Sequence, residues 1–334
     1  MSCFYLFIKK QSKELHESRQ RAGFGFHDFT NFLLRRNVGG MESIMITLID
    51  GLSLGSIYAL IALGYTMVYG IAKMLNFAHG DVIMVGAYAI MVTLSYSLSP
   101  VVAIVVAVVL CTVLGMVIEK VAYKPLRGAS PLAVLITAIG VSYFLQGVAQ
   151  LKFGSQPKPV GPAWTQLLPE LPFINKFGIT TAAFITLICG IIIMVVLTLF
   201  IKCTKTGSAM LAVSEDRGAA ILMGVNVNKI ITVTFAIGSA LAAFAGMFYL
   251  FQIPNTQPTL GAMPGITAFT AAVIGGIGSI PGAMVGGILL GVVEKLCLAS
   301  PLSPYTVAIK FSLLIIILLV KPTGLLGKVS REKV

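Results

Sequence analysis

The sequence predicts an all-α integral membrane protein with about eight hydrophobic segments, one of which is broken by Gly and Pro. Hydrophobic residues make up 57% of the 334-residue chain and charged residues only 11%, whereas a soluble domain carries roughly 25% charged residues. Several apolar runs reach about 20 residues, the length that crosses a bilayer as a helix. They lack the in–out alternation of barrel strands, and lipid allows no other spanning structure.

The first 40 residues differ in kind from the rest of the chain. They contain no apolar run of spanning length, and they lack the apolar core and cleavage site of a signal peptide. We interpret residues 1–40 as a basic N-terminal extension that is either disordered or a mis-assigned start, with the working protein beginning at Met41. The alternative is a regulatory or lipid-binding basic tail.

Residues 41–334 are predicted to form the membrane domain. In chain order its apolar segments are Leu48–Gly70, Val82–Leu98, Val101–Ile118, Leu132–Leu151, Ile179–Ile201, Ile230–Ile253, Ile266–Leu298 and Tyr305–Val320. The 34 glycines suit the close approach of helices inside a bilayer. The seventh segment contains a Gly-rich run with a proline, which cannot continue one straight helix, so we expect two half-helices there. No convincing internal repeat is visible.

The distribution of Lys and Arg predicts the orientation of the segments. Basic residues cluster after the third segment, in the polar loop at residues 202–229 and in the C-terminal tail. The positive-inside rule places these three regions in the cytoplasm and the Pro-rich loop 152–178 outside. The broken segment must then re-enter or cross twice to keep the tail inside. The same clustering explains the net charge of +12, so membrane lipid and not nucleic acid is the expected partner.

The sequence holds little that could perform covalent chemistry. No Walker A pattern occurs, and there is no Ser/His/Asp constellation or set of metal ligands at suitable spacing among the three histidines and five cysteines. We therefore predict no catalytic residues, no metal site and no enzyme activity. Energy for any transport would come from a partner or from an ion gradient.

Two stretches near the start of the membrane domain carry a family resemblance. Residues 51–70 (GLSLGSIYALIALGYTMVYG) and 76–81 (NFAHGD), together with 268–287 and Pro322-Thr-Gly324, resemble LivH-type permeases. The similarity runs from about Met41 to Val334. Permeases of this type are membrane subunits of branched-chain amino acid ABC importers. The resemblance therefore implies a polytopic helical permease in the bacterial plasma (inner) membrane.

The resemblance also implies an assembly. The expected partners are a second, LivM-like permease, two cytoplasmic ATPase subunits and an extracytoplasmic substrate-binding protein. ATP would be used by the ATPases, so no cofactor is expected on this chain. The alternative is an ion-gradient-driven secondary transporter or channel for a small solute. Paired carboxylates in mid-membrane would favour that alternative, and only Asp81 and Glu294 come near such a position.

The resemblance implies that the 202–229 loop holds the coupling element. In such permeases the equivalent loop forms a short helix seated in a groove of the ATPase, and the stretch from Ser214 to Gly224 resembles it. The candidate coupling residues are Glu215, Asp216, Arg217, Ala219 and Gly224. We expect Glu215 and Arg217 to pair at the rim and Gly224 to end the helix. The alternative is an ordinary solvated charged loop.

Two further stretches are candidates for the translocation pathway or its gate. The first contributes Asn76, His79 and Asp81, because ionisable groups near the membrane interior are functional candidates. Its alternative is a polar turn at the cytoplasmic face, with Asn76 or Asp81 capping a helix. The second contributes Gly275, Gly276, Gly278 and Pro281, because transporters use broken helices; its alternative is tight Gly packing. Glu294 and Lys295 are expected at an interface, and Lys310 is expected to snorkel.

Overall fold

The computed structural model describes residues 40–168, 171 and 179–327. The predicted extension at residues 1–40 therefore lies outside the described residues, apart from Gly40. The helices are α1 Gly40–Ala72, α2 His79–Ser95, α3 Pro100–Ile118, α4 Pro131–Phe153, α5 Pro162–Thr165, α6 Thr181–Cys203, α7 Lys205–Glu215, α8 Arg217–Leu222, α9 Val227–Gln252, α10 Ala262–Gly275, α11 Ile280–Leu298 and α12 Thr306–Val320. A π-helix at Glu119–Tyr123 and 3-10 turns at Lys124–Leu126 and Ser303–Tyr305 complete the helical elements.

The predicted helical membrane architecture is confirmed. By length and composition, seven helices in the described part of the chain can cross a membrane, and α2 and α10 are shorter apolar helices. Two short strands, β1 Lys158–Pro159 and β2 Asn255–Thr256, pair antiparallel with Lys158 opposite Thr256. The broken seventh segment is α10 followed by α11. Gly276 has a positive φ of 108° after α10, and the Ser279 side chain caps α11 by accepting from the Gly282 amide.

Helix α1 lies at the centre of the bundle. Ile57, Leu60, Ile61 and Leu63 are fully covered by neighbouring helices. By contrast, α3, α4, α6 and α12 leave many large apolar side chains uncovered, as expected for helices that face lipid or another membrane subunit. The buried Glu119 accepts a hydrogen bond from the Thr232 hydroxyl (2.8 Å) and pairs with Arg127, which joins the end of α3 to the start of α9.

The same arrangement of elements occurs twice along the chain. Helix α1 leads through residues 73–78 into the short helix α2, and α9 leads through residues 253–261 into the short helix α10. Gln252 at the end of α9 donates a 3.1 Å hydrogen bond to the Ser53 hydroxyl in the first half of α1, so these two helices are antiparallel. The helix pair α1–α2 and the helix pair α9–α10 therefore run in opposite directions, a relation that was not predicted from the sequence.

An ion pair corrects the sequence-based expectation about Lys310. Lys310 does not snorkel: its ammonium lies 2.8 Å from the Glu294 carboxylate and 3.3 Å from the Thr267 hydroxyl. Glu294 also accepts a hydrogen bond of 2.9 Å from the Tyr58 hydroxyl. Glu294 is thus part of a polar cluster that connects α1, α10, α11 and α12, and its position at an interface stays a prediction. The long stem of Lys310 turns inward because the acid is within reach.

Candidate functional site

The beginnings of the two short helices meet at a pair of glycines. A β-carbon on Gly80 would lie 2.6 Å from the carbonyl oxygen of Gly261, and one on Gly261 would overlap the carbonyl oxygen of Gly80. Gly265 lies against the same backbone, with its β-carbon position 3.0 Å from the Gly80 Cα. Only glycine allows backbones to come this close. We call this contact of Gly80, Gly261 and Gly265 the half-helix junction.

The half-helix junction lies inside the bundle and not at its cytoplasmic end. The neighbouring His79 packs against Tyr65, with ring centroids 4.8 Å apart, and occupies the space beside Gly64. Gly64 stands about two turns before the end of α1, and its partner Gly238 about three turns after the start of α9. The junction is therefore separated from the cytoplasmic helix ends by roughly 12–16 Å of protein.

This position corrects one interpretation of Asn76–Asp81. Asn76, His79 and Asp81 are at most 4% exposed, so the polar side chains around the turn at residues 77–78 are buried and not solvated. Ala78 occupies the position before α2, and no side chain caps that helix. Physically, Lys73 adopts a left-handed conformation (φ 55°) that ends α1, and the chain then runs back into the bundle before α2 begins.

An open cavity of about 310 Å³ lies beside the half-helix junction. Its lining consists of Tyr65, Phe77, Gly80, Asp81, Ile139, Ser142, Tyr143, Gln146, Gly261, Ala262, Gly265 and Ile266. Asp81 is the charged member of this lining, and its carboxylate accepts a hydrogen bond of 2.9 Å from the Gln146 amide. Ile139 and Tyr143 of α4 and Ile266 of α10 are exposed, so the cavity opens sideways, away from the core.

Residues 73–78 separate this cavity from a second one on the cytoplasmic side. The second cavity, of about 330 Å³, is lined by Tyr69, Ala72, Lys73, Met74, Leu75, Leu126, Gly128, Ala129, Pro131, Val134 and Arg217. Phe77 lines the first cavity, while Lys73 and Leu75 line the second. We call residues 73–78 the partition. The Tyr123 hydroxyl holds it by donating a 2.9 Å hydrogen bond to the Asn76 side-chain oxygen.

The candidate coupling segment contains two helices where a single short helix was predicted. Helix α7 ends at Glu215, and Asp216 is extended (φ −149°, ψ 111°). The cause is local: the Asp216 carboxylate caps α8 by accepting from the Ala219 amide at 3.0 Å. Gly224 (φ 81°) follows α8 in the left-handed conformation that commonly ends a helix. Glu215 therefore lies on the preceding helix, and Ala219 lies on the exposed side of α8.

Arg217 does not pair with Glu215 as expected. Its guanidinium donates to the carbonyl of Ile71 at 3.1 Å and to the carbonyl of Ala72, the last two residues of α1. Carbonyls at a helix end lack intrahelical partners and carry the negative end of the helix dipole, so a guanidinium stabilises them. Arg217 thus connects α8 directly to the point at which α1 gives way to the partition.

The other end of α8 is apolar and uncovered. Ile221, Leu222 and Met223 are 60%, 88% and 84% exposed, respectively, and they lie in the loop that the positive-inside rule predicts to be cytoplasmic. Large apolar side chains that stand together in water commonly mark an interaction surface. We call these three residues the α8 tip.

The predicted pathway residues after α10 lie away from both cavities. Gly275, Gly276, Gly278 and Pro281 occupy the α10–α11 turn, and none of them lines either cavity. A β-carbon on Gly276 would lie 2.6 Å from the Cα of Gly327 in the tail, and one on Gly275 would overlap the Gly282 carbonyl. These contacts favour tight packing, the alternative interpretation, and a pathway role for the turn stays a prediction.

Several cavity residues were not predicted from the sequence. Tyr65, Gln146, Gly261 and Gly265 line the first cavity and were not candidates. A signal existed for Gln146, which is a polar residue inside an apolar segment and hence a functional candidate. No such signal marks the glycines. Within residues 40–168 and 179–327, no group of three or more His, Cys, Asp or Glu side chains is placed to hold a metal ion.

The family described as branched-chain amino acid transport system / permease component matches residues 47–319. BraD of Pseudomonas aeruginosa, described as a high-affinity branched-chain amino acid transport system permease protein, is 44% identical and covers 86% of this chain and 97% of its own. LivH of Salmonella typhimurium is 43% identical, with 85% and 96% covered. A probable branched-chain amino acid transport permease protein LivH of Methanocaldococcus jannaschii is 29% identical, with 81% and 89% covered.

Proposed function

Because this chain belongs to the branched-chain amino acid transport permease family, we propose that it is the membrane permease subunit of an ATP-driven importer for branched-chain or related small amino acids. It is a multi-pass protein of the inner membrane and a permease component of a multi-subunit transport system. The observation that carries the coupling part of the proposal is the contact between Arg217 of α8 and the end of α1, next to the partition.

The proposed assembly has four kinds of subunit. A second, LivM-like permease would cover the side on which the first cavity opens, since α4 and α10 leave Tyr143 and Ile266 exposed there. One of the two cytoplasmic ATPases would bind the α8 tip, the other would bind the second permease, and an extracytoplasmic substrate-binding protein would dock on the outer loops. In this proposal the ATPases use the ATP, and this chain binds no cofactor and catalyses no reaction.

The proposed coupling runs from α8 to the partition. An ATPase that grips the exposed α8 tip would move a helix of only two turns, which is short enough to shift as a rigid body. Arg217 would carry this movement to the carbonyls of Ile71 and Ala72. The left-handed Lys73 follows directly, and in this proposal the partition would turn about it. Movement of the partition would connect the two cavities that it now separates.

The rival function, an ion-gradient-driven transporter, finds no carboxylate pair to support it. Asp81 is buried inside the bundle, and Glu294 is partly buried. However, Glu294 pairs with Lys310 and Asp81 bonds to Gln146. Neither carboxylate faces the other in a way that would share a proton or hold a cation between them.

Substituting the α8 tip tests the proposed docking. The double variant Leu222→Asp/Met223→Asp should no longer co-purify with the ATPases, and its uptake rate should fall at least tenfold. The reason is that charge replaces the apolar contact while nothing in the permease core changes. Membrane insertion and thermal unfolding should stay as in the wild type. Leu302→Asp, in the outer loop, is the matched control and should retain the ATPases. Retention of the ATPases by the double variant would refute this docking surface.

Substituting Arg217 separates docking from coupling. Arg217→Gln should keep the ATPases bound and hydrolysing ATP, because the α8 tip is intact, yet it should lower the amount of amino acid imported per ATP. Arg217→Lys keeps the charge at the α1 carbonyls and should lose less. The comparison is made in proteoliposomes that contain the whole importer. An unchanged ratio of import to hydrolysis in Arg217→Gln would contradict the proposed path.

A further inference from the structure

The Asp81 carboxylate lies inside the bundle without a counter-charge. Asp81 is 2% exposed and lies at the half-helix junction, well away from the end of α1. Among the described residues, the two ion pairs are Arg127–Glu119 and Lys310–Glu294. The other residues that line the first cavity are all uncharged. A buried carboxyl group with no ion-pair partner is costly and is rarely kept without a function.

The surroundings of Asp81 leave room for a cationic group. Gln146 donates one hydrogen bond to Oδ1 and Ser142 is a second side-chain partner, whereas a carboxylate offers about four acceptor positions on its two oxygens. Gly80, Gly261 and Gly265 also line the cavity, and their close backbone contact sets the position of Asp81 beside it. The cavity volume of about 310 Å³ lies in the range of small-molecule sites.

The rest of the lining suits the remainder of an amino acid. Phe77, Ile139 and Ile266 supply apolar surface on the walls of the same cavity. The lining thus combines one anionic group with apolar walls. A small molecule with a primary ammonium group and an aliphatic side chain meets both features.

We propose that Asp81 binds the α-ammonium group of the transported amino acid in the first cavity, so that the permease itself selects for an amine. This inference rests on the proposed function, because it names how the same transport pathway recognises its substrate. Gln146 acts as a positioning residue that orients the carboxylate. The ammonium supplies the missing counter-charge while the substrate occupies the cavity, and the site returns to an unpaired carboxylate on release.

The test uses the complete importer, with its ATPases, second permease and leucine-loaded binding protein, in proteoliposomes. Asp81→Asn is nearly isosteric and removes only the charge, and it should lower leucine uptake per ATP at least tenfold. Asp81→Glu should recover part of the uptake. Asp50→Asn, the same substitution elsewhere in the membrane domain, is the matched control and should transport as the wild type does. Intact assembly of each variant is checked by co-elution of the subunits.

A second readout addresses the ligand group directly. Leucinol keeps the amine but lacks the carboxylate, and 4-methylpentanoate keeps the carboxylate but lacks the amine. Leucinol should raise the unfolding temperature of the importer, 4-methylpentanoate should not, and the leucinol shift should vanish in Asp81→Asn. The measurements are repeated with sodium replaced by potassium, because a sodium requirement would assign Asp81 to an inorganic cation.

The outcomes separate this inference from the proposed function. An assembled wild-type importer that carries no branched-chain or related amino acid would overturn the proposed function, and the inference with it. Wild-type leucine uptake that Asp81→Asn leaves unchanged would overturn the inference alone. So would the absence of a leucinol shift, an equal shift with 4-methylpentanoate, or a dependence on sodium.

Discussion

Replacing Lys310 with methionine should lower the free energy of unfolding by about 3–5 kcal/mol, the cost of leaving one member of a buried ion pair alone. Methionine preserves much of the apolar stem, so the loss comes from the charge. Glu294 would then keep only its hydrogen bond with Tyr58 in a largely covered position. The expected result is a protein that inserts but unfolds at lower denaturant concentration, measured by SDS titration of the detergent-solubilised permease.

Two companion variants make this prediction specific. Lys310→Met/Glu294→Gln removes both charges and keeps an acceptor for Tyr58, so most of the lost stability should return, since neutral replacements of buried pairs are often tolerated. Lys295→Met removes the neighbouring charge, which has no ion-pair partner in the described part of the chain, and should change little. Equal losses in Lys310→Met and Lys295→Met would show that the ion pair does not hold α11 and α12 to the core.

Replacing Gly261 with alanine should disrupt the half-helix junction. The added methyl group would overlap the carbonyl oxygen of Gly80, and both atoms belong to packed backbone that cannot rotate away. Overpacking of this kind costs about 1–3 kcal/mol and sometimes more. Separation of α2 from α10 would also misplace Asp81, so uptake should fall by more than the loss of stability explains. Unfolding temperature and initial uptake rate are the two measurements.

Gly140→Ala is the matched control for this variant. Gly140 lies within α4, and a β-carbon there would meet nothing within 4 Å. Alanine is also the better helix former, so Gly140→Ala should be neutral or slightly stabilising. If Gly261→Ala unfolded and transported like Gly140→Ala, the close contact of α2 and α10 would not exist in the working protein.

Much of the fold could be predicted from residue types alone. Apolar length located the eight segments, and the glycines with Pro281 predicted the break that separates α10 from α11. The positive-inside rule predicted which loops share a face, and the contact of Arg217 with the end of α1 agrees with it. These features depend on local sequence and on the bilayer, so a single sequence carries them.

The centre of the candidate site depends on contacts between distant residues and could not be predicted in the same way. Asp81 looked interfacial because it follows a polar stretch, and counting residues along the chain cannot show that residues 73–78 turn back into the bundle. Gly80 and Gly261 are 181 positions apart in numbering (261 − 80), and nothing in either local sequence points to the other. The pairing of Lys310 with Glu294 was hidden for the same reason.

The partition has a consequence for the resting membrane. It is six residues of irregular chain (73–78), with no helical ladder of hydrogen bonds to stiffen it, and it stands between two hollow spaces. An energised bilayer drives protons and ions across any thin barrier. Two hydrogen bonds hold the partition in place, one from Tyr123 to Asn76 and one from Arg217 to the end of α1. They should therefore keep the ion conductance of the resting importer low, and conductance recordings of the resting complex would measure this.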